Sequence, residues 1–287
     1  MQCLIKKINS QTSISSNLFH GLDDDQWFQT VAKSIDQPVQ GLPAFPSSDF
    51  QEGFVGKSGL TALKEAFFIY KLIKTRVAVT RETKVLDFGV GYGRILRLFV
   101  KDVDPAHLYG VDVDRSILDD ATRLGVEGTL LQIDTIDTLP FPNAFFDIAY
   151  AFSVFSHLPS DYAHHWLNEL MRSIRPGGFL VLTTMTDNFL ELCLTCKHKD
   201  EQNLSYHEKT FAKLFDDPSA AIDSYRAGKH MYSGTGGAAD ILTTNNYGWA
   251  AMPRKFIEDA LGAHASHIEF IDGWSVCNQG IFLIRKI

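Results

Sequence analysis

The stretch that decides the fold is Lys84-Val85-Leu86-Asp87-Phe88-Gly89-Val90-Gly91-Tyr92-Gly93-Arg94. Its first half is apolar and predicts a short buried strand, and three glycines at alternate positions follow. Glycine permits positive φ angles and lets a ligand approach the backbone closely. Ligands of open α/β sheets bind outside the carboxyl ends of the strands. The stretch therefore predicts a site for a small-molecule cofactor directly after this strand.

The spacing of the glycines separates two classes of cofactor. A dinucleotide site is typical of G-x-G-x-x-G, whereas here the third glycine, Gly93, comes one residue early. Asp87 precedes the first glycine by two residues, and its carboxylate favours a cationic ligand over a pyrophosphate. A later predicted strand ends in Asp112, which can accept hydrogen bonds from a ribose diol. Sites for NAD share that acid, so Asp112 alone does not distinguish the two classes.

Strands and helices alternate along the chain after this stretch. Apolar runs predict strands at 84–88, 107–112, 128–133, 145–152 and 179–184, with helices at 94–100, 115–124 and 161–174. This alternation predicts a parallel sheet with helices on both faces. Two later runs, 267–271 and 280–284, predict an antiparallel pair at the sheet edge. The predicted fold class is a doubly wound α/β sheet of about seven strands with an antiparallel C-terminal hairpin. A helical N-terminal extension and an insert after the fifth strand complete it.

Composition excludes several classes of protein. The chain has 287 residues, of which 45% are apolar, and this excludes disordered and collagen-like chains. A net charge of −7 disfavours nucleic acid as a partner, because phosphate binding needs a basic face. No apolar run is long enough to predict a membrane span, and the first residues lack the apolar core of a signal peptide. We therefore expect a cytoplasmic protein, and the oligomeric state is left open.

The cysteines predict neither a disulfide framework nor a metal site. Cys3, Cys193, Cys196 and Cys277 are few and scattered. The C-x-x-C pair at 193–196 lacks a convincing second pair of ligands for zinc. Buried packing is the more common use of two cysteines at that spacing. We expect no bound metal.

Five motifs in order resemble the class I S-adenosylmethionine (SAM) dependent methyltransferases. The glycine stretch matches the family's h-h-D-h-G-x-G-x-G, and Asp112 matches its strand-2 acid. The other three are Leu139-Pro140-Phe141 with Phe146-Asp147, Val154-Phe155-Ser156-His157-Leu158, and the Arg175-Pro176-Gly177-Gly178 turn before strand 5. The resemblance covers about 80–186 and the closing hairpin near 265–287. It implies an extension (1–79), a SAM-binding core (80–186), a substrate cap (187–252) and a C-terminal helix and hairpin (253–287).

The resemblance also implies which residues bind the cofactor. Gly89, Gly91 and Gly93 would let the backbone wrap the methionine part of SAM, with Asp87 near its amino group. Asp112 would bind the ribose hydroxyls. After strand 3, Asp134 would contact the adenine amine, with Asp137 as the alternative, and Thr135 would add a further cofactor contact. After strand 4, Phe152 and Ser153 would also contact the cofactor.

Catalytic and substrate-binding candidates come later in the chain. His157 is the candidate base, because histidine titrates near neutral pH and the loop after strand 4 faces the ligand crevice. The alternative is a histidine that orders this loop by bonding a backbone carbonyl. Loops on a shared scaffold carry specificity, so substrate contacts are expected in the insert. Its candidates are His230, Tyr232, Tyr247 and Trp249, whose rings suit a sugar or planar substrate and equally suit a small local core.

The leading hypothesis is SAM-dependent methylation of a small molecule, with oxygen as the acceptor atom of a saccharide or secondary metabolite. Two alternatives remain. One is a SAM-binding protein without catalysis, which acts as a sensor or pseudoenzyme. The other is a nicotinamide-dependent oxidoreductase, which the glycine spacing disfavours.

Overall fold

A computed structural model describes residues 18–237 and 239–287, so the predictions on Cys3 and on the first residues lie outside it. The chain forms two compact units that divide after Gln132. The division into extension, core, cap and closing hairpin follows function and stays a prediction.

Seven of the described strands form one mixed sheet, in the order β3-β2-β1-β4-β5-β9-β8. Its members are β1 (Val85–Phe88), β2 (Leu108–Asp112), β3 (Thr129–Gln132), β4 (Phe146–Ala151), β5 (Ile174–Thr184), β8 (Ala265–Asp272) and β9 (Gly280–Lys286). The β9 strand runs antiparallel to both β5 and β8. The predicted α/β fold class with an antiparallel C-terminal pair is confirmed.

The described residues form ten α-helices, which include those predicted at 115–124 and 161–174. They are α1 (Asp24–Lys33), α2 (Ser48–Val55), α3 (Gly59–Arg76), α4 (Arg115–Arg123), α5 (Ser160–Ser173), α6 (Asp187–His198), α7 (Tyr206–Phe211), α8 (Pro218–Arg226), α9 (Arg254–Leu261) and α10 (Trp274–Cys277). Asp23 caps α1 by accepting a hydrogen bond from Gln26 N–H. No helix within the two described ranges is long and apolar enough to cross a membrane.

In the first unit, the helix expected at 94–100 is instead a 3₁₀ helix, Leu96–Lys101. The Arg97 guanidinium donates to the backbone carbonyls of Tyr92 at 3.0 Å and Gly93 at 3.1 Å. The first turn of a regular α-helix at this point would use those same carbonyls. The prediction of an α-helix at 94–100 is wrong: the Gly93 carbonyl still accepts the Arg97 N–H, but the Leu98 N–H then bonds the Ile95 carbonyl three residues back, which is the 3₁₀ pattern.

Arg97 also joins the glycine loop to the segment that precedes α2. Its guanidinium donates to the carbonyls of Pro43 at 3.3 Å and Ala44 at 3.1 Å, and it lies 4.1 Å from the centre of the Phe45 ring. The side chain is 1% exposed and carbonyl dipoles surround it. Burial lowers the pKa of Arg97 to about 10, so it stays charged at neutral pH.

In the second unit, the predicted turn at 175–178 is an irregularity within β5. Ile174 pairs with Phe146, and Phe179 pairs with Ile148, so the intervening residues bulge out of the ladder. Gly178 is required there, because a Cβ would lie 2.7 Å from the Asp147 carbonyl oxygen.

The second unit also contains a two-stranded sheet that the sequence did not predict. It pairs β6 (Met231–Gly234) with β7 (Gly248–Ala251) in antiparallel register. The glycine-rich sequence of 233–237 favours a loop, yet Ser233 and Gly234 belong to β6. The backbones of the two strands approach closely at this point, since a Cβ on Gly248 would lie 2.2 Å from the Ser233 carbonyl oxygen.

Replacing Arg97 with methionine keeps the bulk of the side chain and removes its donors. We expect Arg97→Met to lower the free energy of unfolding by about 3 kcal/mol, because several buried carbonyls lose their partner. Urea denaturation measures this loss. Arg81→Met is the control, since it removes a partly exposed ion pair with Asp104 that should contribute little. Equal effects of the two substitutions would contradict this account of Arg97.

Candidate functional site

The glycine loop after β1 adopts the conformation that its sequence predicts. Gly89, Gly91 and Gly93 have φ angles of 80°, 52° and 71°, all in the left-handed region that favours glycine. The N–H groups of Gly89 and Val90 both donate to the Val111 carbonyl, at 2.9 and 3.0 Å. These bonds tie the start of the loop to the end of β2.

Asp112 lies beside this loop. Its Oδ2 accepts a hydrogen bond from Gly91 N–H at 2.9 Å, and its Oδ1 accepts one from Asp114 N–H at 3.1 Å. Burial raises the pKa of Asp112, and the N–H donors of Asp114 and Gly91 oppose this rise. A carboxylate offers about four lone-pair sites, so acceptor capacity remains for two hydroxyls. This geometry fits the ribose diol of SAM.

An aromatic group from α2 covers the loop, and sequence reasoning missed it. A Cβ on Gly91 would lie 2.8 Å from Phe54 Cε1, and Phe50 and Tyr92 pack around the Phe54 ring. The Phe54 side chain nevertheless remains 48% exposed. Tyr92 OH is buried and has no hydrogen-bond partner within residues 18–237 and 239–287. Asp87 is buried in β1, as a ligand-facing or loop-supporting acid would be.

The segment after β4 contains a strained residue held by a polar network. Ser153 has a φ of 59°, which is rare for a residue with a Cβ and is often found at functional sites. Its N–H donates to Thr183 Oγ1 at 2.8 Å, and Thr183 in turn donates to Gln279 Oε1 at 2.6 Å. Gln279 Nε2 then donates to Ser153 Oγ at 2.9 Å, which closes the network. Phe152, just before it, is half-buried.

Thr183 and Gln279 are functional candidates that the sequence did not reveal. Gln279 stands 126 residues after Ser153 in the chain, so no local motif connects them. The pairing of β5 with β9 brings Thr183 close to Gln279, since Thr183 pairs with Ile281, two residues after Gln279.

The predicted adenine contacts lie after β3. Asp134 and its alternative, Asp137, are both exposed. The Asp137 carbonyl accepts from His165 Nε2, and the Thr135 carbonyl accepts from Trp166 Nε1, so α5 holds this segment. Which acid contacts adenine stays a prediction.

His157 makes the backbone contact that was the alternative to a catalytic role. Its Nδ1 lies 2.7 Å from the Gly248 carbonyl, which can only accept, so Nδ1 carries the proton. The His157 ring stacks on Tyr247 at 4.6 Å between centroids. Burial lowers the pKa of His157 to about 4. The imidazole is therefore neutral at pH 7, and its Nε2 lone pair is available. The role of base stays a prediction.

The other three cap candidates, Trp249, Tyr232 and His230, have different surroundings. Trp249 stacks on Phe189 and meets His157 and Phe211 edge to face, within the small core of the cap. Tyr232 donates its hydroxyl to the Thr244 carbonyl at 2.8 Å. Burial lowers the pKa of His230 to about 4. The structure thus brings His157, Tyr247 and Trp249 together, whereas substrate binding by all four cap residues stays a prediction.

Arg94 of the glycine stretch and the two cysteines of the C-x-x-C pair have structural roles. Arg94 pairs with Glu65 of α3 at 2.6 Å, and both side chains are buried. Cys193 and Cys196 are buried, and Cys193 packs in the core of the cap. Among the residues that the structure describes, no cluster of three or more His, Cys, Asp or Glu side chains forms a candidate metal site.

Part of the chain is similar to a known protein family. A family described as "Methyltransferase domain" matches residues 85–178. The uncharacterized methyltransferase YdaC of Bacillus subtilis is 28% identical over 38% of this chain and 59% of its own length. The ubiquinone/menaquinone biosynthesis C-methyltransferase UbiE of Bordetella parapertussis is 33% identical over 44% of this chain and 47% of its own length. The chain thus spans about half the length of these relatives.

Solved structures show the same fold. A SAM-dependent methyltransferase from Clostridium acetobutylicum aligns with a TM-score of 0.50 at 13% identity, over 83% of this chain and 96% of that one. The PH0226 protein of Pyrococcus horikoshii aligns with a TM-score of 0.51 at 12% identity, over 83% and 95%. These matches confirm the predicted fold.

The low pKa of His157 predicts a pH dependence of stability. Its folded pKa of about 4 lies below the ordinary value of 6.5, so between these pH values the unfolded chain binds a proton that the folded chain does not. Stability should therefore fall as the pH drops from 6.5 to 4. Replacing His157 with glutamine should flatten this slope by up to about 1.4 kcal/mol per pH unit.

Urea unfolding at a series of pH values measures that slope. His164→Gln, which changes an exposed histidine of α5, is the matched control and should leave the slope as in the wild type. A His157→Gln protein with the wild-type slope would show that His157 titrates normally in the fold.

Proposed function

We propose that this chain, whose residues 85–178 match a family described as "Methyltransferase domain", transfers the methyl group of SAM to a small molecule. One observation carries the proposal. Three alternate glycines after β1 are all left-handed, and the middle one donates its N–H to the acid that ends β2. This arrangement leaves backbone groups and a carboxylate free to bind the methionine and ribose parts of SAM.

The residues of the loop supply binding and alignment. SAM, when bound, supplies a methyl group on a positively charged sulfonium centre. Asp112 would accept the ribose hydroxyls, and the backbone at Gly89–Gly93 would accommodate the methionine part. Phe54 covers Gly91 and would exclude water from it. Since the donor is already activated, alignment of the reactants is the main contribution that the protein makes to rate.

A hydroxyl is the proposed acceptor, and a saccharide or secondary metabolite its source. His157 Nε2 would accept the hydrogen bond of that hydroxyl, because Nδ1–H is committed to Gly248. A weak base is sufficient if the proton leaves while the oxygen–carbon bond forms, since the hydroxyl becomes more acidic as its lone pair is shared. Adjacent rings of Tyr247 and Trp249 would contact the substrate.

Macromolecular acceptors fit less well. The net charge of −7 disfavours a nucleic acid, and Ala151-Phe152-Ser153-Val154 replaces the [ND]-P-P-[YF] motif of enzymes that methylate adenine or glutamine amides. UbiE bears the name of a C-methyltransferase, so a carbon acceptor is the alternative chemistry. A cytoplasmic location belongs to this proposal as well.

Radiolabel transfer tests the proposal. The purified protein is incubated with methyl-labelled SAM and either the small-molecule or the macromolecular fraction of an extract from the source organism. We expect label in the small-molecule fraction, in an O-methyl group by NMR of the product. Asp112→Ala should reduce the transfer at least about tenfold at limiting SAM, because it removes the acceptor for ribose.

The matched control is Asp119→Ala, which changes an exposed acid of α4 and should leave transfer unchanged. Label in protein or nucleic acid alone would contradict a small-molecule acceptor. A labelled C-methyl product would replace the hydroxyl acceptor by carbon. Tight SAM binding without any labelled product would favour a sensor.

A further inference from the structure

A cavity of about 430 Å³ lies where the insert leaves β5. Its volume falls in the range of small-molecule pockets. Its walls come from the starts of α6 and α9, the end of α8, and strands β8 and β9. The lining residues used below are Thr186, Tyr225, Arg226, Arg254, Lys255 and Phe270.

Two helices begin at the wall of this cavity. Thr186 is the N-cap of α6 and Pro253 is the N-cap of α9, and within the described chain neither makes a side-chain capping bond. The first N–H groups of an α-helix have no intrahelical acceptor. Such helix ends favour negatively charged groups. Two uncapped ends at one cavity therefore favour an anionic ligand.

Thr186 provides an independent observation. Its side chain is 3% exposed, and its Oγ1 is buried with no hydrogen-bond partner in the described part of the chain. Buried hydroxyls normally have partners. A ligand that enters the cavity and moves this side chain slightly would supply the missing partner.

Three cations line the cavity, against two carboxylates, Asp187 and Asp272. Arg254 and Lys255 make exposed ion pairs with Glu258 and Asp259 on their own helix. Arg226 pairs with Asp187 at 3.4 Å and with Glu191 at 2.6 Å. Exposed pairs of this kind contribute little, so the three cations can exchange these partners for a ligand anion.

The lining also contains aromatic rings. Phe270 is 41% exposed although it lies in a strand, and it packs against Phe282 at 5.0 Å between centroids. Tyr225 adds a third ring to the lining. A ligand with a negatively charged group and a flat apolar body would therefore match the cations and the aromatic rings of this lining.

The cavity begins two residues after β5, the strand whose last residue bonds the segment where methyl transfer is proposed. Thr184, the last residue of β5, donates its hydroxyl to the Phe155 carbonyl after β4. Thr186, two residues later, already lines the cavity. Resting on the proposed function, we propose that this cavity binds the acidic group of the methyl acceptor. The acceptor is then a small organic acid, with a carboxylate or phosphate on an aromatic or similarly flat body.

Ligand-observed NMR titration of the full chain tests the proposal. The probes are 4-hydroxybenzoate and phenyl phosphate, with 4-hydroxybenzyl alcohol as the neutral analogue, each in the presence of S-adenosylhomocysteine. We expect at least one anion to bind at millimolar concentration or below and the alcohol to bind about tenfold more weakly or worse. The anion that binds distinguishes a carboxylate acceptor from a phosphate acceptor.

A matched pair of variants locates the binding. Arg254→Gln should weaken anion binding about tenfold. Arg115→Gln should not, although Arg115 is likewise the first residue of its helix and likewise pairs with an acid four residues later. Thr186→Val, which keeps the shape of the side chain, should also weaken binding.

Each failure has a distinct meaning. Equal binding of the alcohol and both anions, equal effects of the two arginine variants, or no anion binding by a protein that binds S-adenosylhomocysteine would overturn the assignment of this cavity. Failure to bind S-adenosylhomocysteine itself would instead contradict the proposed function on which the assignment rests.

Discussion

The loop from Gly89 to Gly93, whose three glycines have left-handed φ angles, is held from two sides, and the candidate cofactor site depends on it. Asp112 accepts the Gly91 N–H, while the buried Arg97 guanidinium takes the carbonyls of Tyr92 and Gly93. Residues with a Cβ disfavour these φ angles, and at Gly93 a Cβ would also lie 2.6 Å from Val126.

A second constraint acts after β4. Ser153 has a positive φ without being glycine, and such strain persists only where surrounding groups impose it. Thr183 and Gln279 do so through a closed set of hydrogen bonds, and both are buried. His157, four residues later, is fixed in turn by exchange of two hydrogen bonds with Gly248 of the cap. The predicted reacting segment therefore has little freedom, which suits chemistry that depends on alignment.

Local patterns made some of this predictable and long-range contacts made the rest unpredictable. The glycine loop, Asp112 and the strand alternation are encoded by neighbouring residues, so the sequence predicted them. Arg97 bonds carbonyls more than 50 residues earlier, and Gln279 reaches Ser153 across 126 residues. Helix α2 was missed because it follows Pro43 and Pro46 in a region without a clear apolar period. The β6–β7 pair was missed because its glycines suggested a loop, although Gly234 and Gly248 permit the close strand crossing.

The central claim is that the glycine loop binds SAM, and a thermal-melt panel tests it most directly. The protein is melted alone and with SAM, S-adenosylhomocysteine, NAD(H) or ATP. A ligand at about 100 times its Kd adds roughly 2.7 kcal/mol of stability, which raises the melting point of a chain of this size by several degrees. The account predicts such a rise with SAM and S-adenosylhomocysteine and none with NAD(H) or ATP. No rise with SAM, or a larger rise with NAD(H), would contradict it.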